Sequence, residues 1–154
     1  MEKGPSKFTF VVVAAFFLSA LFLFFWQYHW PTETIHLSDS NLHVLVAKTP
    51  KHWYTGVGGR KSLEPYDGML FLFDGSSRQA MLMRDTLFPL DIIWLDRGIV
   101  VDMAPNVQTE IGRSEKQLTR YYPRAPANMV LEVPAGWLAE HSLKIGDKLS
   151  LTKS

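Results

Sequence analysis

The apolar pattern divides the chain into one long unbroken run and a series of short ones. Residues 8–26 read FTFVVVAAFFLSALFLFFW, where only Thr9 and Ser19 are polar and no side chain is charged. A run that is apolar on every face predicts a helix surrounded by lipid, not an amphipathic surface helix. As a helix it spans about 28 Å, close to the hydrocarbon thickness of a bilayer. A helix closes its own backbone hydrogen bonds, so lipid accepts it. Trp26, Tyr28 and Trp30 follow directly, as an interfacial aromatic belt would.

Beyond this run the periods are short. His29 to Thr34 reads as a polar linker around Pro31. Residues 42–47 (LHVLVA) predict a strand. Thr49-Pro50 reads as a helix start, with Thr49 as N-cap and Pro50 at the first helical position. That helix would end at Gly56, Gly58 and Gly59. Residues 68–73 (GMLFLF) are apolar on both faces and predict a buried strand. Further strands are expected at 79–83 and 90–95. Asp96-Arg97-Gly98 then signals a tight hairpin into 99–101. Residues 105–126 form a long polar excursion containing Pro and Gly. A strand at 128–133, a short helix opening at Pro134 and a last strand at 148–152 complete the series. The expected fold is mainly β (α+β), a small barrel or sandwich with one or two short helices, preceded by one transmembrane helix.

Charge sets the orientation. Lys3 and Lys7 precede the apolar run, and no Lys or Arg follows it until Lys48. The positive-inside rule therefore expects residues 1–7 in the cytoplasm, 8–26 as an uncleaved signal anchor, 27–41 as linker and 42–154 as an extracytoplasmic domain. The expected partner of residues 8–26 is the bilayer. The domain itself could meet an envelope protein or a small ligand. Lys and Arg total 16 against 15 Asp and Glu, a net charge of +1, which gives no reason to expect nucleic acid, a partner that favours a strongly basic face. Cysteine is absent, which excludes disulfides, thiolate nucleophiles and Cys-ligated zinc. The five histidines are scattered without H-x-x-x-H spacing, so no metal site is expected. No cofactor is expected either.

Five blocks occur in one order: Gly68-Met69-Leu70-Phe71; Met83-Arg84-Asp85-Thr86 running into Pro89-Leu90-Asp91-Ile92-Ile93; Leu131-Glu132; Ala135-Gly136; and Lys144-Ile145-Gly146-Asp147. Together they resemble the domain of unknown function 192 family. That family usually carries Trp-Met-Lys-Asn-Thr where this chain has Leu82-Met83-Arg84-Asp85-Thr86. Its opening Gly-Leu-Met-x-Arg block falls at Gly56-Val57-Gly58-Gly59-Arg60. The resemblance implies a compact β-rich domain, often secreted or anchored, and no particular activity.

The candidate chemistry gathers around Arg84, Asp85, Thr86 and Asp91, joined by Glu132 and Arg60. Two carboxylates beside an Arg could do acid–base work with their pKa values split by their neighbours. The same residues equally suit a structural turn, in which Asp and Thr side chains bond nearby N–H groups. Tyr122 and Arg124 on the long excursion suit a binding surface. Methionines inside strands read as core. Two functions follow: a non-catalytic binding or accessory module of the cell envelope, or an envelope hydrolase with Asp85 and Asp91 as its acid–base pair.

Overall fold

A computed structural model describes residues 7–26 and 29–152. The chain forms two compact units, Met1–Trp30 and Pro31–Ser154. The first holds α1, Lys7–Trp26, a helix of 20 residues none of which is buried. It is long and apolar enough to cross a membrane by length and composition.

The second unit is a curled half-barrel. Seven strands follow the order β5-β4-β6-β3-β2-β1-β7. They are β1 Thr32–Leu37, β2 Ser40–Ala47, β3 Gly68–Ser77, β4 Leu90–Asp96, β5 Ile99–Val107, β6 Ala127–Pro134 and β7 Ser150–Leu151. Neighbours are antiparallel except β2 and β3, which pair in parallel from Val44↔Gly68 to Ala47↔Phe71. A parallel pair needs a crossover, and this one carries α2, Pro50–Thr55. Thr49 caps α2 as its sequence foretells, accepting the His52 N–H at 3.2 Å. The β4–β5 hairpin turns on Arg97 and Gly98, both left-handed at φ 49° and 81°, the geometry that two-residue hairpins favour.

Both faces of the central strands are covered. On one face Ile35, Leu37, Val44, Leu70, Ile93, Leu95, Leu131 and Val133 form one cluster. Side chains alternate across a strand, so Met69, Phe71, Ile92 and Trp94 face the other way, where they are equally buried. This double burial is why 68–73, and 92–95 after Asp91, read as continuous apolar runs. The second face also receives Glu132, flanked in register by Met69 and Ile92.

The structure departs from the expected elements at four places. The linker expected over 27–41 contains β1, and Ile35 and Leu37 of that strand are fully buried. Only Thr34-Ile35-His36-Leu37 alternates outward polar with inward apolar; Glu33, on the parity of Ile35 and Leu37, is exposed, which dilutes the strand signal. Residues 79–83 are not a strand; Met81 makes a single bridge to Tyr121. Met81 and Met83 are buried, so this segment lays its side chains over the sheet instead of extending its ladder. The excursion expected from 105 begins later, because β5 runs on to Val107, and it holds one 3-10 turn, Glu115–Gln117. Pro134 ends β6 and does not open a helix; α3 is Trp137–Glu140, behind left-handed Gly136.

Gly68 is held by space rather than by φ. A Cβ there would lie 2.8 Å from the Glu132 carbonyl oxygen and 3.0 Å from Val133 Cγ1. The carbonyl cannot move aside, since it belongs to the backbone of the paired strand β6. Gly68→Ala is therefore expected to cost about 1–3 kcal/mol, the usual range for overpacking, read as a lower urea midpoint with unchanged slope.

Candidate functional site

The second face of the sheet does not close completely. Between it, α2 and the 79–86 segment lies a cavity of about 290 Å³, lined among others by Trp53, Tyr54, Phe71, Phe73, Arg84 and Glu132. Alternation explains the floor: Phe71 and Phe73 share parity on β3, and Glu132 shares their face on β6. Helix α2 supplies the wall. Trp53 is fixed there by Nε1, which donates to the carbonyls of Ala47 and Leu72, both at 3.0 Å. Its ring lies 5.3 Å from Phe73.

Glu132 is the unusual member. It is 3 % exposed, and no hydrogen bond to its carboxyl occurs among the described residues. Burial pushes its pKa up to about 8, because an apolar surround disfavours the charged form. Arg84 stands at the wall but does not neutralise it. Its NH1 donates to the Tyr54 carbonyl at 2.7 Å and its NH2 to Glu115 Oε1 at 2.7 Å. The guanidinium carbon sits 4.1 Å over the Tyr54 ring, within cation–π range. Arg84 Nε is buried without a partner. Thr86 is buried and turns its hydroxyl onto the Arg84 carbonyl at 3.3 Å.

The remaining sequence candidates lie elsewhere. Asp85 is exposed in left-handed conformation at φ 50°, and its carbonyl accepts the Gly59 N–H at 2.9 Å. Gly58 fits beneath this turn because a Cβ there would come within 2.9 Å of the Arg84 carbonyl oxygen. Asp91 is 1 % exposed. Its Oδ1 accepts from Asn106 N at 2.7 Å, and its Oδ2 from Gly136 N at 3.1 Å and Leu138 N at 2.7 Å. Neither Asp85 nor Asp91 lines the cavity that holds Glu132. The expected acid–base pair is thus not brought into a shared cleft: one carboxylate faces solvent and the other holds main-chain N–H groups. Arg60 is half-buried at the end of the α2 turn, where its N–H donates to Val57.

Tyr122 is 53 % exposed. Arg124 closes onto Asp102, donating through Nε at 3.0 Å and NH2 at 2.6 Å to Oδ1, while its main-chain N–H takes Oδ2 at 2.7 Å. Burial pulls the Asp102 carboxyl upward, but the Arg124 side chain and the main-chain donors of Arg124 and Met103 outweigh it and hold the carboxyl below its ordinary value. This is a clasp for the long loop. The aromatic lining of the cavity escaped sequence reasoning. The parity of Phe71 and Phe73 with a lone Glu in an apolar strand was its available signal. Among the described residues no group of acidic and His side chains could hold a metal ion.

The geometry of this half-barrel can be set beside known proteins. The model of DUF192, described as an uncharacterized ACR, matches residues 33–151. The chain belongs to the DUF192 family. Two solved structures share the DUF192 fold found here. One, from Sinorhizobium meliloti 1021 and described provisionally as a transcription regulator, is 26% identical over 79% of this chain and 95% of its own, with a TM-score of 0.70. The other, a protein of unknown function from Novosphingobium aromaticivorans DSM 12444, is 25% identical over 77% of this chain and 84% of its own, with a TM-score of 0.66. No curated protein matches the chain. DUF192 membership carries fold and not chemistry, since function resides in the site.

Proposed function

We propose that this DUF192 chain is a binding module without catalysis, tethered to the cytoplasmic membrane by α1, with the β domain on the outer side. The observation that carries the binding half is the cavity itself. Aromatic walls enclosing one unmatched carboxyl form a concave, apolar site with few polar groups, the usual composition of a ligand pocket. Its volume of about 290 Å³ suits a small molecule. The tether rests on the length and apolar character of α1 and on Lys3 and Lys7 preceding it. Asp91, committed to three main-chain donors, does not line this cavity, so the hydrolase reading loses its second carboxylate.

Cell fractionation tests the tether. Full-length protein is expected in carbonate-washed membranes, with its C-terminal domain digested by protease added outside spheroplasts. Recovery in the soluble fraction, or protection from that protease, would contradict it. The cavity is tested by a fragment screen on full-length protein in nanodiscs, using ligand-observed NMR. Binders are expected that Leu82→Trp, which fills the cavity, excludes while the circular dichroism stays unchanged. Binders indifferent to Leu82→Trp would place binding elsewhere.

A further inference from the structure

The cavity holds an imbalance of charge. Arg84, the cation at its wall, is already matched by Glu115, and its guanidinium is stacked on Tyr54. Glu132, at the floor, is matched by nothing among the described residues. The other ionisable group lining the space is Tyr54 from α2. Strands β3 and β4 present apolar Met69 and Ile92 beside Glu132. A charge that completes the site would therefore be positive.

The walls agree. The Trp53 N–H is consumed by two carbonyls, so its ring offers the site a face and not a donor. Phe71 and Phe73 offer faces only, their rings 6.4 Å apart and nearly parallel at 13°. Aromatic faces attract cations through the ring quadrupole, most strongly where water is excluded. One donor at the wall, Arg84 Nε, is buried without a partner. It would suit an anion instead, and the two occupants differ in a measurable way.

We propose that the cavity takes a small organic ammonium ion, its charge on the Glu132 carboxylate and its apolar body against Trp53, Phe71 and Phe73. The inference rests on the reading of this cavity as a binding site. When empty, the site keeps Glu132 protonated at neutral pH. Entry of the cation ionises the carboxyl, and its proton leaves to solvent. No bond to the ligand forms or breaks.

The probe is benzyltrimethylammonium, whose charge does not titrate. It is compared with phenylpropionate and phenylpropanol, which carry a negative charge and none. Calorimetry on the full-length protein in nanodiscs, in buffers of different ionisation enthalpy, reads both affinity and proton release. The affinity of benzyltrimethylammonium is expected to rise about tenfold per pH unit from pH 6 to 8, then level off, with close to one proton released per ligand at pH 7. Glu132→Gln is expected to weaken binding at pH 8 by at least about tenfold and abolish the proton release. Binding of benzyltrimethylammonium with no pH dependence, or undiminished in Glu132→Gln, would overturn the proposal. Binding of phenylpropionate alone would overturn it too while leaving the cavity a binding site. Failure of all three probes, together with a fragment screen whose binders ignore Leu82→Trp, would remove both readings.

Discussion

Glu132→Gln is expected to make the protein more stable than the parent at pH 8, although it alters a fully buried side chain. The reason is proton linkage. In the folded state burial pushes the Glu132 pKa up to about 8, against an ordinary value of 4.5. Between those values the native state keeps a proton that the unfolded chain has released. Stability therefore falls as pH rises through this window, at a rate approaching 1.4 kcal/mol per pH unit. Below about pH 4.5 both states are protonated and the penalty vanishes; above about 8 both are ionised and it is constant. Gln has nearly the same shape and no proton to lose. The two proteins should have similar stability near pH 4.5 and diverge to roughly 3–5 kcal/mol at pH 8, by integration of that slope. Urea titrations at several pH values measure the gap. Parallel stability curves for the two would show that Glu132 is paired or hydrated in the folded protein, and with that the isolation of its carboxyl would fail.

Asp91→Ala is expected to produce the largest loss. Three main-chain donors converge on one carboxylate from positions 15, 45 and 47 residues away. They come from the far end of β5, from the left-handed Gly136 and from the first turn of α3. Removing the carboxylate leaves all three N–H groups without that acceptor at a site 1 % exposed. Each orphaned donor costs about 1–3 kcal/mol, and relaxation admits some water, so a loss of about 3–5 kcal/mol is expected. Asp91→Asn should retain part of this, because its one amide oxygen still accepts while its NH₂ opposes the remaining donors. The check is a pair of denaturation curves together with the binding assay: destabilisation without a changed affinity for cavity ligands marks Asp91 as a clamp. A stable Asp91→Ala protein that had lost ligand binding would instead place this residue in the site.

These two residues show how far the sequence could be read. Both stand as charges inside otherwise apolar stretches, and both could be singled out on that ground. What could not be read was their partners. The charge of Asp91 is answered by N–H groups that belong to no local pattern, brought together only by the pairing of β4 with β5 and β6. Glu132 is answered by nothing, and a missing contact has no signature along the chain. Local elements were more legible. Thr49-Pro50 starts α2, and Asp96-Arg97-Gly98 turns the β4–β5 hairpin, because each is decided by a few adjacent residues. Residues 79–83 misled for the opposite reason. Their alternation of buried and half-exposed side chains is real, but alternation reports burial, and a ladder needs a neighbour in register. The cavity wall joins α2 aromatics to β3 aromatics across a crossover, so its membership follows from topology rather than from spacing.

The final residues of the sheet return to its first margin. Val100 N–H donates to the Asp147 carbonyl at 2.9 Å, Gly146 N–H to Val100 at 2.9 Å, and Leu149 N–H to Gly98 at 2.8 Å. An open sheet has two raw borders, and either can recruit a stranger's backbone. Here the borders partly stitch to each other, with the opening residues of β5 spoken for by the same molecule. Copies packed densely on one surface would then brush past one another as closed bodies instead of zippering into filaments.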